Sequence, residues 1–213
     1  MNIANEILPA RLSNAESDMF KAILHSLKHN SNNYLSVKLR FEGIKLGRVV
    51  KNLSDSLINE KQTFIQLWSD AGGTALAKRD NPDISQYIYS YSEYIRNDNI
   101  DRNSILIAPA PQPYDIDEFK QVCEKHLSKI IIINGKLEDT AIGIGSVGRE
   151  IRKNFLSLWD NIYWLEPLTN GAIMRVYPGK WLVYKLYDDG FRFKKEFDNK
   201  PNEEEIIEIL EYE

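Results

Sequence analysis

Cysteine is nearly absent. Cys123 stands alone among 213 residues, so no intramolecular disulfide staples the fold. None is needed, because a chain of this length buries roughly 70% of the surface its unfolded form exposes. A lone cysteine fits a reducing compartment. Long apolar runs are missing too. The longest aliphatic stretch, Ile130–Ile133, falls far short of the roughly 20 residues that span a bilayer. The first residues lack an apolar core, and Glu6, Glu16 and Asp18 are acids that a transit peptide avoids, so neither a secretory signal nor a transit sequence is expected. There is no basic excess: 27 Lys+Arg stand against 31 Asp+Glu, a net charge of −4, which argues against nucleic acid as a partner. Internal repeats and low-complexity linkers are absent. What remains, 43% hydrophobic and 27% charged residues, is an ordinary globular composition.

Periodicity supplies the elements. Leu8, Leu12, Ala15, Met19, Ile23 and Leu27 recur at three- and four-residue steps and predict an amphipathic helix over 5–29. Pro9 falls in its first turn, where a missing N–H costs nothing. Leu35, Val37, Leu39 and Phe41 alternate with Ser36, Lys38 and Arg40, the pattern of a half-buried strand over 34–41. A helix over 47–60 and a strand over 63–68 follow, then a short helix after Asp70-Ala71-Gly72-Gly73. The stretch 84–95 reads as a strand and then a helical or irregular segment. Residues 104–108 form a short apolar strand stopped by Pro109, Pro111 and Pro113. A helix over 115–127 opens on acids that suit its positive end, with Phe119, Cys123 and Leu127 on its apolar face. The isoleucines of 129–134 make the clearest buried strand, followed by a helix over 146–159 and a strand over 161–165. Three further strands, 172–177, 181–187 and 191–197, are joined by turns too short for anything but antiparallel pairing. Asn202 and Glu205 then spell a capping box for a last helix that turns Ile206, Ile207, Ile209 and Leu210 inward.

The expected fold is α/β: a mostly parallel, Rossmann-like sheet flanked by helices, with a C-terminal antiparallel extension and a final helix. One domain over 1–213 is expected, alternating over 5–165 and antiparallel over 172–213, because about 45 residues without a linker make a marginal core of their own. Ligands on such sheets bind beyond the carboxyl ends of strands, which singles out loops 69–74, 109–114 and 135–145.

Each loop carries candidates. Gly143, Gly145 and Gly148 spell G-x-G-x-x-G ahead of a helix. Such glycines let a pyrophosphate approach N–H groups at the helix's positive end, and Glu166 at the end of the next strand stands where a ribose-binding acid sits. The context is imperfect, because residues 135–142 separate the motif from its strand and the unit comes late in the chain. The simpler reading is a tight turn. Asp70, Gly72 and Gly73, with Lys78 and Arg79 beyond, offer free N–H groups and positive charge to an anion, without P-loop spacing. The simpler reading has Asp70 cap the helix while the basic pair suits its far end. The stiff proline loop before Tyr114 either presents Gln112 and Tyr114 to a ligand or protein, or only steers the chain onward. Arg149, near a positive helix end, calls for an anion partner, and an internal pair with Glu138 or Asp139 is preferred to a bound oxyanion. Cys123 and His126 lie one helical turn apart, but a thiol on an apolar face reads as buried and inert. His25 and His29 lack a third ligand near them in sequence, so no metal is expected. Tyr163, Trp164, Tyr177, Trp181, Tyr184 and Tyr187 are mostly core formers, a subset of which can make a docking face.

Several stretches together resemble a known family: Leu8-Pro9, Ser69 through Asp80, Ala108 through Tyr114, Asn134 through Asp139, Gly143 to Gly145 followed by Arg149 through Leu156, and Tyr177 through Trp181. They run in order along nearly the whole chain. They are similar to the uncharacterised domain family of cyanobacteria and chloroplasts found in the plant low-photosystem-II-accumulation factor and attached to a chloroplast adenylate kinase. No kinase domain is present here. The resemblance implies a link to photosystem II assembly and carries over no catalytic residue and no cofactor. The expectation is a non-enzymatic accessory protein that binds photosystem or thylakoid-membrane proteins. It would act in the cyanobacterial cytoplasm or the plastid stroma, peripheral to the thylakoid. The alternative is a nucleotide- or phosphometabolite-binding Rossmann-like protein, with or without catalysis, supported by fold-level analogy.

Overall fold

A computed structural model describes residues 7–137 and 154–211. The strands are β1 (Tyr34–Leu39), β2 (Phe64–Trp68), β3 (Ile88–Ser90), β4 (Ile105–Pro109), β5 (Ile130–Ile133), β6 (Asp160–Leu168), β7 (Gly171–Val176), β8 (Trp181–Tyr187) and β9 (Gly190–Phe197). The helices are α1 (Leu12–His29), α2 (Leu46–Asn59), α3 (Ala71–Asp80), α4 (Tyr91–Arg96), α5 (Ile116–Lys125) and α6 (Glu203–Glu211). The strand order in the nine-stranded sheet is β3-β2-β4-β5-β1-β6-β7-β8-β9. The α/β expectation, with antiparallel C-terminal strands and a final helix, is the observed architecture. Among the described residues, no helix is long and apolar enough to cross a membrane.

The chain divides into two compact units. One comprises Ser31–Ser36 and Lys45–Asp160. Here β2 pairs in parallel with β3 and β4, and β4 with β5. Strands of this kind, covered on both faces, need continuous apolar runs, and Ile105–Ala108 and Ile130–Ile133 supply them, every residue buried. Successive side chains point to opposite faces. One face sends Ile65, Leu67, Leu106, Ala108, Ile130 and Ile132 into a cluster with Tyr91 and Tyr94 of α4 and Phe119, Val122 and Cys123 of α5. The other face meets α2, where Gln66 Nε2 donates to Ser54 Oγ at 2.9 Å, and α3, where a Cβ on Gly73 would stand 3.6 Å from Trp68 Cε3; Trp68 Nε1 donates to Gln66 Oε1 at 3.2 Å.

The other unit comprises Met1–Asn30, Val37–Ile44 and Asn161–Glu213. Strands β6 to β9 form an antiparallel meander. Helix α6 covers one of its faces, packing Ile209 and Leu210 on Val183. The capping box spelled by the sequence is present: Glu205 N–H donates to Asn202 Oδ1 at 2.9 Å, and Asn202 N–H donates to Glu205 Oε2 at 2.8 Å.

Four expectations change. Helix α1 begins at Leu12, so Pro9 precedes the helix instead of filling its first turn. Leu127 is 68% exposed, because α5 ends at Lys125 and the backbone is extended at His126, which takes Leu127 off the helical face. Ile207 is exposed while Ile209 and Leu210 are buried, since one hundred degrees of helical rotation separate it from Ile206. The helix expected over 146–159 falls largely outside the described residues. Within them, Leu156–Leu158 is a single 3-10 turn and β6 begins at Asp160.

Candidate functional site

Strands β2, β4 and β5 are parallel neighbours, so the connections leaving their carboxyl ends share one rim of the sheet. Helix α3 carries the chain from β2 outward to β3, and α5 carries it from β4 the other way to β5. The two helices pack on opposite faces, as the burial pattern above requires. The sheet therefore has a topological switch point between β2 and β4, where open α/β sheets bind ligands. Asp70, Gly72 and Gly73 lie on one side of it, Gln112 and Tyr114 on the other.

The chain's own groups fill the β2 side. Asp70 Oδ1 accepts the Gly73 N–H at 2.8 Å, and the Thr74 hydroxyl donates to the Asp70 carbonyl at 2.7 Å. A Cβ on Gly72 would stand 3.1 Å from Asp70 Oδ1, so the glycine leaves room for the cap. The carboxylate occupies the helix N-terminus that an anion would take. Lys78 reaches toward Glu93 at 3.8 Å, and Arg79 pairs with Asp80 at 2.9 Å. Both sit in the last turn of α3, where cations suit the dipole, so the structure does not bring them to the glycine turn.

On the β4 side the Gln112 side chain folds back, its Nε2 donating to the Ala110 carbonyl at 2.7 Å, while the Gln112 N–H donates to Asp115 Oδ2 at 2.8 Å. Tyr114 is 83% exposed. Ala110 and Asn134, at the ends of β4 and β5, hold φ of 45° and 55°, an uncommon region for residues with a Cβ. The Ala110 N–H donates to the Ile133 carbonyl at 2.8 Å, and the Lys136 N–H donates to the Pro111 carbonyl at 2.9 Å, tying the two loops together. A Cβ on Gly135 would stand 2.7 Å from Ile132 Cγ2 of the strand it follows and 3.3 Å from Pro111 Cγ of the other loop, so glycine eases the approach of the two loops. Gly143, Gly145, Arg149, Glu138 and Asp139 lie outside the described residues. Glu166 is inside β6, not at a strand end. It accepts from Trp164 Nε1 at 3.0 Å and pairs with Lys38 at 3.1 Å.

Cys123 of α5 and His126 just past its end are both sealed in. Cys123 is 5% exposed, and burial pushes its thiol well above the ordinary value. His126 is 8% exposed, with Nδ1 lying 2.7 Å from the Tyr94 hydroxyl. Burial brings the imidazole down to about 4 and the phenol up to about 12. His25 and His29 face each other at 4.6 Å between ring centroids. Among the described residues, no group of three His, Cys, Asp or Glu is arranged to hold a metal ion.

The second candidate belongs to the antiparallel unit. A groove of about 810 Å³ opens on the face of β6 to β9 opposite α6, a volume within the roughly 300–1,000 Å³ of ligand pockets. Its floor follows one cross-strand row, in which Pro167 lies opposite Ala172, Ala172 opposite Tyr184, and Tyr184 opposite Phe193. Leu8, Pro9 and Phe41 are among the apolar residues that wall it, and Arg40 and Glu42 also border it. Phe193 packs edge-on against Tyr184 at 5.9 Å. Phe191 and Phe193 remain 46% and 44% exposed.

The tail aromatics weighed in the sequence divide: Tyr163, Trp164, Trp181 and Tyr184 are buried, while Tyr177 and Tyr187 are half-buried. Among the described residues of the tail, the exposed aromatics are Phe191 and Phe193, which sequence reasoning missed. Their alternation with Arg192 reads as an ordinary half-buried strand, and only the strand order makes β9 an edge.

Fold and surface together define a mixed α/β protein with an apolar groove on its antiparallel unit. Residues 9–208 match the model of the family described as Domain of unknown function (DUF1995), and the chain belongs to that family. No curated protein and no solved structure matches it.

Proposed function

We propose that this chain is a non-enzymatic accessory protein of the photosynthetic apparatus, of the photosystem II biogenesis kind. It works by binding other proteins at the cytosolic or stromal face of the membrane. The observation that carries the protein-binding part is the groove bordered by half-exposed Phe191 and Phe193, since clustered apolar and aromatic surface of this sort anchors partners. The photosynthetic setting is supported by the resemblance of 69–80, 108–114 and 177–181 to the cyanobacterial and chloroplast domain. Affinity purification of the tagged chain from its native cell in mild detergent tests the reading. Photosystem polypeptides are expected in the eluate, and their absence would remove it.

The switch point between β2 and β4 favours a second reading, a protein that binds a nucleotide or a phosphorylated metabolite. The Asp70 carboxylate on the α3 N-terminus and the outward pairing of Lys78 and Arg79 weigh against it. A rise in melting temperature with millimolar NAD or ATP would turn the assignment toward it.

A further inference from the structure

We propose that β9 takes up an extended, acidic segment of a partner protein as a further strand, laying the segment's apolar side chains beside Phe191 and Phe193. The proposal rests on the protein-binding reading above and specifies the partner's chemistry.

Three observations converge on β9. First, it closes the strand order, and among the described residues β8 is its one strand neighbour. It is eight residues long, against a common strand length of about five or six. The outer row of backbone donors and acceptors on such an edge is a template for another strand.

Second, the edge is apolar on one face. Leu186 lies opposite Phe191 and Tyr184 opposite Phe193, and Phe191, Phe193 and Leu186 are each nearly half exposed. A strand added outside β9 extends the row Pro167, Ala172, Tyr184, Phe193 by one position and covers both phenylalanines. Cross-strand apolar and aromatic pairs of this kind are what stabilise a sheet face.

Third, charge selects the occupant. Phe191 through Lys195 holds Arg192, Lys194 and Lys195 and no acid. A second copy of β9 laid alongside would bring these cations against their own counterparts, along an edge whose register with β8 already shifts between Phe193 and Lys195. Directly opposed like charges destabilise a sheet, and lysines on an edge strand discourage self-pairing. A segment with acids between its apolar residues meets the same cations as opposite-charge pairs. Arg192 now bonds Asp189 at 2.8 Å, both side chains more than 60% exposed, and an exposed pair of that type exchanges partners at little cost.

The test uses the full chain and fluorescently labelled seven-residue peptides read by anisotropy. One peptide alternates glutamate with valine, the second alternates lysine with valine, and the third is the glutamate peptide with alternate backbone nitrogens methylated. The glutamate peptide is expected to bind roughly tenfold more tightly than the lysine peptide, and N-methylation is expected to abolish binding because it removes main-chain donors. The double variant Arg192→Glu, Lys195→Glu, checked for wild-type melting, is expected to reverse the preference. Equal affinity for the two charged peptides, undiminished binding of the methylated one, or no binding of any overturns strand addition. If photosystem polypeptides are still captured in mild detergent when the peptides fail, strand addition falls alone. If that capture fails as well, the accessory reading falls with it.

Discussion

Gly171 sits against the backbone of Tyr184: a Cβ at position 171 would stand 2.1 Å from the Tyr184 carbonyl oxygen and 2.6 Å from Leu210 Cδ2. Only glycine lets β7 lie this close to β8 while α6 closes over both. Gly171→Ala therefore has to displace a strand or the last helix. A loss of about 3 kcal/mol is expected in urea unfolding, the upper range for overpacking. Unchanged stability would show that the three elements are not in this contact.

Asp70→Ala removes the acceptor of the Gly73 N–H at the start of α3. The expected cost is about 1 kcal/mol, read as a lower urea midpoint at constant slope. The same substitution uncovers the helix N-terminus. A variant that is as stable as the parent would argue that the carboxylate has another occupation, such as holding a ligand at the switch point.

Much of the parallel unit was readable because its signals are local. Four consecutive isoleucines make a strand buried on both faces, and Asp70 three residues ahead of Gly73 makes a cap; in the antiparallel unit the one equally local signal is the capping box of Asn202 with Glu205. Loops 69–74 and 109–114 fall on one rim because βαβ connections keep β2, β4 and β5 parallel. The groove was not readable. Its floor is assembled from residues on four strands brought side by side by register, and nothing in Phe191-Arg192-Phe193 tells whether a further strand lies outside it. The left-handed backbone at Ala110 had no local sign either, since alanine is not a residue that favours positive φ. It is imposed by the bond from its N–H to the Ile133 carbonyl.

Cys123 is buried against the α4–α5 cluster, and burial raises its thiol far above neutral pH. A thiol reagent at pH 8 is expected to label it only after addition of denaturant, because the thiolate is the reactive form. Stoichiometric labelling of the native chain within seconds would contradict this placement.

His126 makes folding sensitive to acid. Its value of about 4 in the folded chain lies below the ordinary 6.5. Between these values the unfolded chain binds a proton that the folded chain does not. The contribution is therefore fully present above pH 6.5 and is lost as the pH falls toward 4, a change on the order of 3 kcal/mol at full titration. Urea midpoints at pH 7 and pH 4.5 are expected to differ less for His126→Asn than for the parent. An equal fall in midpoint for parent and variant would place the titration elsewhere.

Site-specific photo-crosslinking in the native cell sets the two candidate surfaces against each other. A benzoylphenylalanine at position 193 reports on the edge of β9, and one at position 114 reports on the rim of the parallel strands; both positions are open to solvent, at 44% and 83%. Adducts to photosystem polypeptides are predicted from position 193 and not from position 114. Adducts from 114 with none from 193 would contradict the assignment of the binding face.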